Sequence, residues 1–73
     1  MEARLNPTNA VRTFRERRLA VGRGILDLQR ATGIHRGRLS QIELGIYHTF
    51  AEHEVIEAAL LTWEAERLGG RAS

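Results

Sequence analysis

The sequence predicts an all-α fold, a small bundle of four to five helices, on three observations. Apolar residues recur at three- and four-residue spacing, no stretch alternates as a half-buried strand does, and glycines and capping residues divide the chain into short helical lengths. The chain has 73 residues. A chain of this size buries only about 60% of its unfolded surface, so the core must be compact and simple. Residues 1–68 are read as one domain and 69–73 as a flexible tail.

The first helix is expected from Pro7 to Ala20, with Asn6 as its cap and proline's fixed φ at the first position. Val11, Phe14, Arg18 and Leu19 fall on its inward side, and Gly22 and Gly24 break it. A second helix is expected over Ile25–Thr32, facing Ile25 and Leu28 inward, with Gly33 as the turn. A third runs Arg36–Leu44, with Leu39 and Ile42 inward beneath Ile34 and Gly45 as the closing glycine. Thr49 and Glu52 then form a capping box. Nothing breaks the pattern after that until Gly69, so the last helix reaches about 20 residues, with Phe50, Ile56, Ala59, Leu60 and Trp63 as its stripe.

Composition narrows the function classes. With no cysteine, neither disulfides nor a thiolate metal site can hold the fold. No apolar run approaches the roughly 20 residues of a membrane span, and the N-terminal residues lack a secretion signal's apolar core, so a cytoplasmic protein is expected. The formal net charge is only +2, but it is unevenly spread. Residues 1–44 carry nine arginines against four acids, and residues 45–73 carry two arginines against five glutamates. A basic front and an acidic back suit a nucleic-acid face opposite a face for something else.

Ile25–Gly45 therefore reads as two short helices around a tight glycine turn, the second arginine-rich, which is the outline of a helix-turn-helix DNA reader. A family pattern reads apolar, glycine, apolar, four variable positions, apolar, two variable, apolar, glutamate, any residue, glycine, and this chain supplies Ile34, Leu39, Ile42, Glu43 and Gly45 after Gly33. Over roughly residues 9–61 the chain resembles the Cro/repressor-type (XRE-like) helix-turn-helix regulators of phage and bacteria. The resemblance implies a lambda-repressor-like DNA-binding domain and pairs Arg18 of the first helix with Glu43. Four positions depart from the pattern. Gly24 stands where a serine or threonine caps the second helix, and Ile25 where a glutamine often contacts phosphate. Gln29 replaces a close-packing alanine, so it splays the helices or tilts outward. Leu44 replaces an asparagine and either joins the core or is sheltered by Ile46 and Tyr47.

The expected reading helix presents His35, Arg36, Gly37, Arg38, Ser40 and Gln41, positions the core does not need. Arg36 suits a bidentate contact to guanine and Gln41 one to adenine. Arg38 and Ser40 are assigned to phosphate, as are Arg23, Tyr47 and His48 in the flanking loops, whereas Arg15 and Arg17 are read as solvated. Gly37 lowers helix propensity and permits close approach of backbone to DNA. His35, His48 and His53 lack metal-ligand spacing, so no metal and no other cofactor is expected. With no pocket for a nucleophile and base, an enzyme is not expected either, nor a small-molecule ligand. The expected function is a sequence-specific transcriptional regulator of Cro-like or repressor-like type. Its partners would be a pseudo-palindromic double-stranded operator and a second copy of the chain, joined through Leu60 and Trp63, with Leu61 and Leu68 beside them, in solution or only on DNA. The alternative is a helix-turn-helix-fold protein-interaction module that acts through its acidic last helix.

Overall fold

The computed structural model describes residues 12–72, with side chains to Leu68. It is all-helical: four helices, α1 (Phe14–Ala20), α2 (Ile25–Thr32), α3 (Arg36–Glu43) and α4 (Phe50–Ala72), and no strand among the described residues. None of these helices is long and apolar enough to cross a membrane.

Each boundary follows from local chemistry. Thr13, in an extended conformation, starts α1 through a full capping box, its hydroxyl accepting from the Glu16 amide while the Glu16 carboxylate accepts from its own. This cap corrects the expected continuous helix over Pro7–Ala20, because Arg12 and Thr13 are not helical. The expected start at Asn6 and Pro7, and Val11, lie outside the described residues. At α2 the Gly24 amide donates to Asp27 Oδ2 at 2.8 Å, so the aspartate supplies what the missing Gly24 side chain cannot. Gly33, at φ 79°, ends α2 by donating its amide to Gln29 O. Thr32 Oγ1 accepts from the Ile34 amide and donates to Leu28 O, which closes the turn into α3.

α3 ends in a Schellman motif: the Gly45 amide donates to Ile42 O and the Ile46 amide to Gln41 O, with Gly45 at φ 100°, a region that a Cβ disfavours. The Thr49–Glu52 capping box opens α4 as expected. α4 then runs through Gly69 to Ala72, so its helical backbone does not stop where the tail was expected.

α4 is the platform. It packs against α1 and α2, and α2 packs against α3. Leu28, Leu39, Ile42, Ile56 and Leu60 are buried at the centre, with Phe14, Ile25, Ile34, Ala59 and Trp63 packed around them. Each fully buried leucine or isoleucine contributes about 1.5 to 3 kcal/mol relative to exposure.

Several expected core positions turn outward. Leu19 is half-exposed because the inward face of α1 is taken by Phe14 and, one turn on, by Arg18. Phe50 lies off the line of Ile56, Leu60 and Trp63 and is 78% exposed. Leu44 is 81% exposed as the residue after α3, and Ile46 and Tyr47 are themselves exposed, so Leu44 neither joins the core nor is sheltered. Leu60 is fully buried, which removes it from the expected dimer contact. Trp63 is partly buried against the core, and the Arg23 guanidinium lies over its ring at 4.9 Å.

Candidate nucleic-acid interface

α3 divides cleanly into two faces. Leu39 and Ile42 are buried, and Arg36, Gly37, Ser40, Gln41 and Leu44 are exposed at the spacing of one continuous helical surface. Among the described residues the side chains of Arg36, Ser40 and Gln41 make no hydrogen bond or ion pair. An arginine fork, a hydroxyl and a carboxamide are thus displayed side by side, the donor and acceptor set that reads base edges and phosphates.

The N-terminus of this helix is closed by side chains. The Arg36 amide donates to Gln29 Oε1 at 2.8 Å, so Gln29 neither splays α2 from α3 nor tilts away but caps the next helix. The Gly37 amide donates to His35 Nδ1 at 2.9 Å, which requires an unprotonated Nδ1. A Cβ on Gly37 would sit 3.2 Å from that same nitrogen, so the glycine makes room for the cap.

The C-terminal end of α3 is tied to α1. Arg18 Nε and Nη2 donate to both oxygens of Glu43 at 2.8 and 2.9 Å, and Nη1 donates to Arg23 O. Both side chains are almost wholly shielded, 9% and 6% exposed. The hydrogen bonds to Glu43 raise the Arg18 pKa against the opposing cost of burial.

Arg38 behaves differently from its neighbours. Its Nε and Nη2 grip Glu52 at 2.9 and 2.8 Å, and Nη2 also donates to Tyr47 O. The expected phosphate contact is therefore corrected: the charge of Arg38 is committed to α4, and its groups hold the α3–α4 loop in place. Glu52 sits well below the ordinary 4.5, at about 2, chiefly through the Arg38 hydrogen bond and then through the Thr49 amide.

Of the loop residues assigned to phosphate, only Tyr47 is openly displayed, 81% exposed. Arg23 lies over Trp63 and 3.6 Å from Glu66, which commits it to α4. His48 faces His53, Nε2 to Nδ1 at 3.2 Å, with the Phe14 ring against both. No group of three or more metal-ligating side chains occurs among the described residues.

Arg17 is not merely solvated. It donates Nη1 to Glu57 and Nε and Nη2 to Glu64, at 2.8 to 3.0 Å, clamping α1 to α4. These bonds, Glu64 first, push its pKa up, and the same contact holds Glu64 down. With Glu52, Glu57 and Glu64 all paired to arginines of the basic half, much of the acidic back is neutralised internally. These partners lie 14 to 47 residues apart, beyond the reach of helical spacing rules.

Set beside known proteins, the chain matches no protein family, no curated protein and no solved structure.

Proposed function

We propose that the chain is a sequence-specific double-stranded DNA-binding regulator of the small Cro-like or repressor-like type. In this reading α2, the Gly33 turn and α3 form its helix-turn-helix, and α3 lies in the major groove. The observation that carries the reading is the exposed face of α3. A folding-only sequence gains nothing from Arg36, Ser40 and Gln41 displayed together on a helix anchored at both ends, by Gln29 and His35 at one and by Arg18 at the other. Anchoring of this kind fixes the angle at which the helix meets a groove, which base readout requires.

Within that surface Arg36 is assigned to guanine, Gln41 to adenine and Ser40 to phosphate. Arg38 acts through the loop it holds. One such unit reads only a few base pairs, so the reading includes two copies on a pseudo-palindromic site. With Leu60 inside the core, the apolar surface available to join them nearest α3 is Leu44, Ile46, Tyr47 and Phe50. The acidic-helix alternative loses support, because Glu57 and Glu64 are already occupied by Arg17.

Selection of bound sites from random duplex DNA, followed by titration at rising salt, tests the proposal. The expected outcome is a defined motif and an affinity that falls steeply with salt. Arg36→Ala and Gln41→Ala should each cost about 1 to 3 kcal/mol and relax preference at one base position. Failure to enrich any motif, or a double variant that keeps full preference, overturns it.

A further inference from the structure

The Thr49–Glu52 capping box carries an unusual companion. In many helices the residue before the N-cap packs against the fourth residue of the helix, an apolar pair that fixes how the chain turns into the helix. Around α4 those two positions are His48 and His53. Their rings are nearly parallel, 8° apart, with centroids 5.4 Å apart and facing nitrogens 3.2 Å apart. The centroid separation exceeds the nitrogen separation by about the radii of the two rings, so the rings meet edge to edge rather than face to face. Nε2 of His48 and Nδ1 of His53 therefore point at one another, as an N–H···N bond requires. Two nitrogens converging on a metal would be angled toward a third point instead.

We infer that His48 and His53 form a proton-operated staple, which holds the α3–α4 loop to the first turn of α4 and releases it when both rings are charged. The proton count is simple. With both rings neutral, one facing nitrogen donates and the other accepts. A first added proton goes to the far nitrogen of the donor ring and leaves the bond intact. A second must sit on the accepting nitrogen, which places hydrogen against hydrogen and positive ring against positive ring.

The surroundings offer little to offset that repulsion. The Phe14 ring of α1 covers the pair at 5.7 and 5.2 Å from the two imidazoles. The charged groups on the neighbouring elements largely cancel: Arg18 with Glu43, Arg38 with Glu52, and Arg17 against Glu57 and Glu64, with Arg12 also acting on Glu64. Glu54 beside His53 adds one further negative charge. The released segment is short but connected. Ile46 and Thr49 donate their amides to Gln41 O and Glu52 Oε1, and the Tyr47 carbonyl accepts from Arg38, so opening the staple loosens both the end of α3 and the cap of α4.

The test follows the imidazole nitrogens by NMR through a titration of the full chain, with hydrogen exchange of the Ile46 and Thr49 amides at each pH, corrected for intrinsic rates. The comparison is His53→Gln, whose carboxamide can still bond to His48 but cannot titrate; both positions lie near the surface, so the fold is expected to tolerate it. In the native chain both rings should report the same two steps, and protection of the two amides should fall roughly fivefold across the second, the equivalent of one hydrogen bond. In His53→Gln, His48 should titrate in one step with no change in protection. Independent one-step titration of each ring in the native chain, or protection that is flat across the second step, overturns the inference.

Discussion

Arg18 and Glu43, 25 residues apart in sequence, close a two-pronged ion pair that is shielded from water on both sides and ties α1 to the last turn of α3. A guanidinium fork matches both carboxylate oxygens at once, a geometry lysine cannot reproduce. The pair is best regarded as a fixed joint rather than a source of net stability. Replacing both partners by apolar residues can be neutral, whereas halving the pair strands a charge.

Glu43→Gln should accordingly destabilise the fold by roughly 3 kcal/mol, near the lower end for a broken buried pair because Arg18 keeps the Arg23 carbonyl and one amide oxygen. Urea denaturation followed by circular dichroism checks this. A shift of the midpoint with unchanged slope is expected; an unchanged midpoint would show that the pair carries no such cost.

This joint was legible in the sequence only through the resemblance that aligned its two ends. Helix identities were legible from local chemistry, because Gly33, Gly45 and the Thr49–Glu52 box each act within a few residues. The start of α1 is legible in principle, since Thr13 and Glu16 have the same spacing as Thr49 and Glu52, but the Asn6–Pro7 pair is an equally local start signal further upstream. What could not be read were contacts set by tertiary packing. Nothing in the spacing of Arg17, Glu57 and Glu64 foretells a clamp, and Gln29 as a cap for Arg36 depends on how α2 crosses α3. Periodicity also misplaced Leu19, since of the inward side it assigned to Phe14, Arg18 and Leu19 only the first two face the core.

The Arg17 clamp should resist conservative exchange. One planar fork serves Glu57 and Glu64 together, and an ammonium cannot span both with the same three bonds. Arg17→Lys should cost roughly 1 kcal/mol and Arg17→Met roughly 2 kcal/mol, discounted because both glutamates are about one-third exposed. Melting curves at low and high salt measure this, and the gap between native chain and Arg17→Met should narrow as salt screens the clamp.

Acid should act in part through Glu52. Its pKa is depressed from 4.5 in the unfolded reference to about 2 in the fold, so the folded state binds this proton less readily than the unfolded chain does. The stabilisation is therefore complete above 4.5 and is lost as pH falls toward 2. Glu52→Gln preserves the capping box but not the charge paired with Arg38. The melting-temperature gap between native chain and variant should be constant at neutral pH and shrink through that acid window. A gap that does not change with pH would show that the Arg38 contact does not hold the Glu52 carboxylate down.

Gly37 offers a test that separates folding from the proposed recognition. In a helix alanine is favoured over glycine by about 1 kcal/mol, yet the added Cβ would press on His35 Nδ1 at 3.2 Å and weaken a cap of comparable worth. His35 is exposed and its ring can yield, so the two effects should nearly cancel, leaving Gly37→Ala within about 0.5 kcal/mol of the native stability. The proposed DNA contact has no such compensation. If the glycine lets the backbone of α3 approach the duplex, one methyl group on the exposed face must hold it off, and operator affinity should fall by about 1 kcal/mol or more, a factor of at least about five. Thermal melts and a binding titration on the same preparation give both values. Unchanged stability with reduced affinity supports a groove-facing Gly37, and unchanged affinity would assign the glycine to the His35 cap alone.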